Sequence, residues 1–286
     1  MLSSQNYTLM LIENIPDLFL SNLEKIPEVF IHDFRMTSDI VKSKINLRMN
    51  MFSFLQVGKK HVHFGGSSVK VDKSQSLLIK KGNCLWTELL DTEKIYYCKL
   101  LFFSEKILKT FLEKHVSKAQ NDKKEIPFFT IENDHYITNF LNSLSAINEH
   151  PSLLSDDFLS IKFEEIMLYL CCKYGSNFKS YLQSLVVEET SPFKEIVERN
   201  VYSNLRLEEI AFLCNMSLST FKRHFINEYK ASPGKWLQEK RLEKAKTLLE
   251  QGHSKASDIY LEIGYNNLSN FSSAFKNKFG FSPKDT

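Results

Sequence analysis

His61 and His63 are the residues of this chain whose types and spacing come closest to a metal site. In a β-strand, side chains at positions i and i+2 point to the same face, and neutral imidazole is a common metal ligand. No Glu occurs from Phe64 to Ser68, so the set of three or four ligands that a metal needs is incomplete. The pattern therefore predicts ordinary histidines of a barrel mouth or surface, without a bound metal.

Cysteines and paired carboxylates suggest a second kind of chemistry. The five cysteines are odd in number and lack a Cys-x-x-Cys spacing, which indicates reduced thiols and no disulfide framework. Cys171–Cys172 are expected to pack within a helix, because adjacent cysteines rarely form a favourable disulfide. Asp156–Asp157 and Glu164–Glu165 suit a helix start and a solvated helix face. Since the sequence also lacks a nucleophile elbow, a phosphate-binding loop and a dinucleotide fingerprint, it predicts no catalytic residue, cofactor or metal.

The C-terminal third of the chain repeats itself at a spacing of 50 residues, or 49 near the start of each copy. The matching pairs are Ile210 with Ile259, Leu218 with Leu268, Phe221 with Phe271, Phe225 with Phe275, and Pro233 with Pro283. Each copy is predicted to be a short helix, a turn and a second helix, which is a helix-turn-helix. A helix over Lys235–Glu250, about 24 Å long at 1.5 Å per residue, would hold the two motifs roughly one DNA turn (~34 Å) apart.

Basic residues cluster beside the first motif, although the net charge of +3 by itself indicates no class of partner. From Lys222 to Lys246 the chain has eight Lys or Arg residues against three Glu, an excess of five. Such a stripe suits contacts with DNA phosphates, which give salt-sensitive affinity. A helix rich in Lys and Glu would, without the tandem motif, be interpreted as a solvated face.

A specific series of residues runs through both copies and the helix between them. The series is Leu207-x-x-Ile210-Ala211, Ser217-x-Ser219-x-Phe221-x-Arg223-x-Phe225, Ser232-Pro233-x-x-Trp236-Leu237, Arg241-Leu242-x-x-Ala245-x-x-Leu248-Leu249, Gly264-Tyr265, Phe271-Ser272-x-x-Phe275-Lys276 and Phe279-Gly280-Phe281-Ser282-Pro283. It resembles the DNA-binding domain of the AraC/XylS family over Phe193 to Pro283, roughly a third of the chain. The resemblance implies a bacterial transcription regulator, more often an activator, that binds double-stranded DNA and acts with RNA polymerase.

The resemblance also implies which side chains face DNA. The paired phenylalanines of each second helix should face the core and leave the predicted contacts outward. Those contacts are Ser219, Thr220, Lys222 and Arg223 in the first helix, Ser269, Asn270, Ser273 and Lys276 in the second, and Lys244 and Lys246 between them. Arg223 and Lys222 suit guanine or phosphate, and Asn270 suits adenine.

Two residues depart from the family pattern. Tyr260 stands where the family has a small Ala, the position of Ala211 in the first copy, and Ser273 stands where many members carry Arg. We therefore expect the second motif to contact phosphates more than it reads bases.

The remaining sequence predicts an α+β protein with two domains. The 286 residues are 43% hydrophobic and 25% charged, as in globular proteins. Short β-branched and aromatic segments in the first half indicate a small sandwich or barrel, and helical periodicity begins near Ser104. The resemblance implies a small cupin-like β-barrel with helices for sensing and dimerisation, here over 1–175. A linker is predicted over 176–191, and an all-α domain of two helix-turn-helix motifs joined by a linker helix over 192–286.

Membrane and secretion signals are absent from the sequence. No apolar run approaches the ~18 residues of a membrane-spanning helix, and the N-terminus lacks a basic region and a cleavage site. We therefore expect a cytoplasmic protein without a membrane partner.

The signal received by the N-terminal domain stays open between a small apolar ligand and a regulatory protein. Six apolar and aromatic residues are predicted to lie in the interior of this domain. If they line a pocket, that pocket would suit a fatty or aromatic ligand; otherwise they form the core. These residues are Met51, Phe52, Phe54, Leu78, Trp86 and Tyr97. The alternative function is a cupin-like metal enzyme fused to a DNA-binding domain.

Dimerisation is predicted from a helix over Ser155–Tyr174, which has more apolar residues than one ~100° stripe can hold. We expect Ile161 and Leu168 to form a homodimer interface. The alternative is that both faces of this helix are buried within one monomer.

Overall fold

The computed structural model describes residues 12–20, 26–116, 126–148, 155–186, 193–251 and 255–285. The chain forms two compact units, Met1–Glu189 and Thr190–Thr286. Strands and helices occur in the first unit and helices in the second, which confirms the predicted α+β class. Within the described ranges, no helix has both the length and the apolar character needed to cross a membrane.

The described strands of the N-terminal unit form two five-stranded sheets. They are β1 (Ile12–Ile15), β2 (Val29–Met36), β3 (Ile40–Leu47), β4 (Asn50–Val57), β5 (Lys59–His63), β6 (Ser68–Asp72), β7 (Gln75–Ile79), β8 (Gly82–Leu89), β9 (Tyr96–Phe103) and β10 (Phe128–Glu132). The strand order is β1-β3-β8-β5-β6 in the first sheet and β10-β7-β4-β9-β2 in the second. β1 runs parallel to β3, whereas β4 and β9 pair antiparallel at the centre of the second sheet.

Alternation along the strands explains why the central segments are apolar at nearly every position. In β4, Met51 and Leu55 belong to the core between the two sheets, while Phe52 and Phe54 belong to the core beneath the helices. Successive side chains of a strand point to opposite faces, so a strand covered on both faces needs apolar residues on both. The second sheet is therefore the middle layer of three.

This arrangement does not confirm the predicted closed barrel. The described strands pair within two separate open sheets, and the sandwich that the strand spacing also allowed describes them better. The residues predicted to surround a ligand do not line one cavity, because alternating side chains of the strands point to opposite faces of the sheet. Met51 and Trp86 lie between the sheets, whereas Phe52, Phe54 and Leu78 face the helices.

A charged pair is buried in the core between the sheets. Lys60 Nζ lies 2.8 Å from Glu88 Oε1 and 3.8 Å from the ring centroid of Trp86. Tyr96 Oη donates to the same carboxylate oxygen at 2.8 Å. Buried charges are tolerated when they are paired and hydrogen-bonded, so this cluster can lie within a core that is otherwise apolar.

In the part of this unit that the structure describes, three helices cover the second sheet: α1 (Glu105–His115), α2 (His135–Asn148) and α3 (Asp156–Ser184). The Ser155 hydroxyl caps α3 by accepting from Phe158 N at 3.2 Å, as its position before two acidic residues predicts. Gly175, at φ 58°, interrupts α3 without ending it.

The predicted start of the linker at residue 176 is corrected by the course of α3. The helix continues to Ser184, and Phe178, Tyr181 and Leu182 are buried in the core beneath the helices. Gly175 does interrupt the regular helix, as the sequence predicts, but the apolar residues beyond it keep the chain packed against the sheet. The rest of the predicted linker, 187–191, lies outside the described residues.

The C-terminal unit is built from α4 (Phe193–Arg199), α5 (Leu207–Leu213), α6 (Leu218–Tyr229), α7 (Pro233–Glu250), α8 (Ala256–Ile259) and α9 (Leu268–Phe279). The linker helix α7 begins two residues before its predicted start, with Ser232 at the N-cap and Pro233 in the first turn, a position that proline favours. α8 is short, because its α-helical part ends at Ile259 and turns continue to Gly264.

Candidate DNA-binding surface

The two helix-turn-helix motifs, α5–α6 and α8–α9, begin with the same backbone cap. Arg206 N donates to Glu209 Oε2 at 2.7 Å at the start of α5. Lys255 N donates to Asp258 Oδ2 at 3.2 Å at the start of α8. Both pairs are related by the 49-residue offset, so an acidic side chain satisfies the N-terminal amide in each copy.

The turns of the two motifs also match. Met216 N donates to Ala211 O at 3.0 Å, and Tyr265 N donates to Tyr260 O at 2.9 Å. A left-handed residue stands at the equivalent place in each turn, Asn215 at φ 57° and Gly264 at φ 85°. The bulky Tyr260 is only half-buried, whereas its counterpart Ala211 is buried.

The offset of the repeat changes from 49 to 50 because the second turn has one more residue. The α6 helix is capped by Ser217, whose hydroxyl accepts from Thr220 N at 3.3 Å. The α9 helix is capped by Asn267, whose Oδ1 accepts from Asn270 N at 2.8 Å. These caps are 50 residues apart, so the second helices of the two motifs start at equivalent positions.

The outward face of α6 carries all four of its predicted DNA contacts. Phe221 and Phe225 are fully buried, while Ser219, Thr220, Lys222 and Arg223 are exposed. Arg223 lies two residues, about 200° of rotation, from each phenylalanine and so points directly away from the core.

Asn227 is a further exposed residue of α6 that was not among the predicted DNA contacts. It is exposed one turn beyond Arg223, and it aligns with the exposed Asn277 of α9 at the 50-residue offset. An asparagine amide can pair with adenine. The repeat itself, followed past the second phenylalanine, is the signal that would have found both asparagines.

The outward face of α9 is less basic than that of α6. Ser269, Asn270, Ser273 and Lys276 are all exposed, and Phe271 and Phe275 are fully buried. Ser273 occupies the position of Arg223, where its short hydroxyl replaces a forked guanidinium. The predicted difference in base recognition between the two motifs therefore depends on which residue, Arg223 or Ser273, stands at this exposed position.

The basic stripe predicted along α7 is narrower than the sequence indicates. Lys244 is exposed. Lys246 is half-buried, with Nζ 3.6 Å from Glu250 Oε1 and 5.2 Å from the ring centroid of Phe279. Arg241 does not belong to the stripe: burial lowers the pKa of its guanidinium, which donates hydrogen bonds to backbone carbonyls.

The two histidines of the N-terminal unit stand in a basic environment. The ring centroids of His61 and His63 are 3.9 Å apart. The pKa of each imidazole is lowered to about 4, chiefly by burial and further by the charges of Lys42 and Lys70. These positive charges disfavour a metal cation at the pair. Nowhere in the described ranges do three His, Cys, Asp or Glu side chains form a group that could hold a metal.

The two residues predicted for dimerisation lie on one exposed stripe of α3. Ile161 is 61% exposed and Leu168 is 38% exposed. In contrast, Phe163, Ile166 and Leu170 are buried in the core between the helices and the second sheet. Positions seven residues apart differ by only about 20° around a helix. Ile161 and Leu168 therefore share one face of α3, with Glu164 and Glu165 between them, and this face is separate from the core face.

Two segments of the chain match known protein families. Residues 50–181 match the family described as the ExsA N-terminal regulatory domain, and residues 210–286 match a helix-turn-helix domain. The thermoregulatory protein LcrF of Yersinia pestis is 26% identical over 230 residues, which cover 76% of this chain and 81% of that protein. The virulence regulon transcriptional activator VirF of Yersinia enterocolitica is 28% identical over 196 residues, covering 65% and 71%. A solved structure of ToxT from Vibrio cholerae is similar with a TM-score of 0.40 and 15% identity, over 90% of this chain and 97% of that one.

Proposed function

The chain belongs to the AraC/XylS family of transcriptional regulators, and we propose that it binds specific DNA sequences and activates transcription. The observation that carries the proposal is the pair of helix-turn-helix motifs with equivalent caps, turns and exposed second helices. A second helix whose outward face is free can enter a major groove and place its side chains against base edges. Activation is supported by the similarity to VirF, which is named an activator.

The two motifs contribute differently to recognition. On α6, Arg223 and Lys222 provide guanine and phosphate contacts, and Ser219 and Thr220 provide short contacts near the helix start. On α9, Asn270 reads adenine, while Ser269, Ser273 and Lys276 make contacts that tolerate sequence changes. Lys244 and Lys246 contact phosphates and add affinity for any sequence.

Selection from a random duplex library with the full chain, followed by footprinting of the selected duplex, tests this proposal. Because α7 spans about 27 Å at 1.5 Å per residue over 18 residues, we expect protection of two successive major-groove segments about 34–36 Å apart. Protection of less than one helical turn, or no enrichment of any sequence, would contradict it.

The N-terminal unit controls this activity in response to a small apolar molecule or a regulatory protein. Native mass spectrometry of freshly purified chain distinguishes the two, since a small ligand adds a fixed mass and a protein partner adds a subunit. The same measurement tests the alternative of a metal enzyme fused to a DNA-binding domain. A stoichiometric first-row metal would favour that enzyme over the regulator.

The proposal includes RNA polymerase as a partner, because an activator must act on the transcribing enzyme, and it includes a homodimer formed through Ile161 and Leu168 of α3. An exposed apolar stripe on an ordered helix is more favourable when a partner covers it, and identical stripes meet across a two-fold axis. A cytoplasmic location follows from the proposal, since bacterial DNA lies in the cytoplasm.

A further inference from the structure

Arg241 lies in the middle of α7, and its guanidinium donates to three backbone carbonyls in two separate segments of the chain. Its Nε donates to Val201 O at 2.6 Å, and its Nη2 donates to Ser203 O at 2.7 Å. Its Nη1 donates to Gly264 O at 2.8 Å. Val201 and Ser203 precede the first motif, whereas Gly264 lies in the turn of the second motif.

Gly264 provides independent support for the importance of this contact. A Cβ at this position would lie 2.8 Å from Arg241 Cζ and 2.8 Å from Ser203 O, closer than real Cβ atoms approach other atoms. The residue also has φ +85°, which glycine adopts without strain. The turn of the second motif is therefore shaped to receive the guanidinium as well as to reverse the chain.

Apolar contacts join each half of α7 to a different motif. The N-terminal half of α7 packs against the first motif, where the ring centroids of Trp236 and Tyr229 are 4.5 Å apart. Its C-terminal half shares a core with the second motif through Leu242, Ala245 and Leu249. Hydrophobic contacts are non-directional, whereas hydrogen bonds weaken steeply when their angles change.

We propose that Arg241 is a positioning residue that fixes the orientation of the two helix-turn-helix motifs, and so the DNA spacing that the chain accepts. The proposal rests on the DNA-binding function above. The residue acts through the backbone segment that leads into the first motif and through the turn of the second motif, and it contacts no DNA. A guanidinium suits this role because its donors form a rigid planar fork, which the compact ammonium of lysine cannot reproduce.

The test compares binding of the full chain to the selected duplex and to duplexes with one base pair added or removed between the two protected segments. One base pair shifts the second segment by about 3.4 Å and turns it by about 35°. The unmodified chain is expected to lose roughly tenfold or more in affinity for the altered spacings. Arg241→Lys is expected to weaken binding to the selected duplex and to reduce the difference between spacings to about twofold, with an unchanged salt slope.

Lys244→Ala is the matched control, because Lys244 is an exposed residue of the same helix. This variant should keep the wild-type preference for spacing, whatever its effect on affinity. A folded Arg241→Lys chain with the wild-type spacing profile would overturn the proposal, as would an unmodified chain that binds all spacings equally.

Distances between spin labels at Glu208 and Asn277, attached through non-natural residues, test the same idea without DNA. The unmodified chain should give one narrow distribution, and Arg241→Lys or Arg241→Gln should give a broad one. A narrow, unshifted distribution in the variants would overturn the proposal. Loss of helical circular dichroism in both variants would also overturn it, because Arg241 would then be needed for folding. Failure to select any duplex would count against the proposed function and leave this distance test decisive.

Discussion

Arg223 and Ser273 occupy equivalent positions on α6 and α9, the recognition helices of the two motifs. Only the guanidinium of Arg223 can donate two parallel hydrogen bonds to guanine. Arg223→Ala should therefore cost about 1–3 kcal/mol in binding to the selected duplex and relax the preference at one base position. Competition binding against duplexes substituted at each position measures both effects. Unchanged specificity in Arg223→Ala would show that this side of α6 does not read bases.

Lys244→Ala provides the contrast for Arg223, because a phosphate contact carries no sequence information. It should weaken binding to all duplexes by a similar factor and lower the salt slope by about one. A change at one base position only, without a change in slope, would move Lys244 from the phosphates to a base edge.

We expect the histidine pair His61–His63 to make the N-terminal unit less stable in acid. Their pKa values are lowered to about 4 in the folded chain, whereas an unfolded histidine titrates near 6.5. Between these values the unfolded state binds more protons, so the free energy of unfolding falls as the pH drops from about 6.5 towards 4. Above pH 6.5 both states are neutral and the pair has no effect.

Replacing both residues, His61→Gln with His63→Gln, should reduce this loss of stability. The measurement is the urea midpoint of the N-terminal unit at pH 7.5 and pH 5, followed by Trp86 fluorescence in a Trp236→Phe chain. His135→Gln, at an exposed histidine of the same unit, is the control and should behave as the parent does. Equal losses in the double variant and the parent would contradict the assignment to this pair.

At the scale of the elements, the two recognition helices end in the same left-handed conformation with different residues. Lys230 closes α6 at φ 55°, and Gly280 closes α9 at φ 86°. A left-handed conformation is unfavourable for a residue with a Cβ, although glycine loses more backbone freedom on folding. Lys230→Gly should therefore stabilise the end of α6 by about 0.5–1 kcal/mol.

Amide hydrogen exchange of the α6 peptide in the full chain measures this gain, which corresponds to about two- to fivefold slower exchange. Gly280→Ala is the reciprocal variant: no atom would lie within 4 Å of the added Cβ, so backbone strain alone should speed exchange in α9. Faster exchange of α6 in Lys230→Gly would mean that the lysine side chain stabilises the helix end.

Local patterns in the sequence predict the helices and their caps, but not the contacts between distant elements. Ser155 and the phenylalanine pairs of α6 and α9 follow from signals within a few residues. The Lys60–Glu88 pair joins β5 to β8 across 28 positions, and no local spacing marks the two charges as partners. The contacts of Arg241 are equally hard to predict, because a basic residue on a helix is usually expected to be exposed. Only the folded chain brings Val201, Ser203 and Gly264 beside its guanidinium.

At the scale of the whole molecule, the central question is how a homodimer would bring its two DNA-binding units to adjacent half-sites. Ile161 and Leu168 are exposed on the N-terminal unit, whereas the exposed faces of α6 and α9 belong to the C-terminal unit. The alternative considered from the sequence, that all apolar residues of α3 are buried in one monomer, does not describe these two side chains. Burying them against a second copy removes apolar surface from water, which favours association.

Ile161→Lys combined with Leu168→Lys should yield a folded, monomeric chain, because both side chains are exposed and their replacement leaves the core intact. Sedimentation should show the loss of the dimer. Affinity for a duplex with two half-sites should fall, while affinity for one half-site stays the same, since only the linked binding events lose their shared effective concentration. Ser176→Lys, at an exposed position beyond Gly175 on the same helix, controls for added charge and should remain dimeric. A double variant that still dimerises would exclude this stripe as the interface, and one that unfolds would indicate that the stripe supports the monomer's own core.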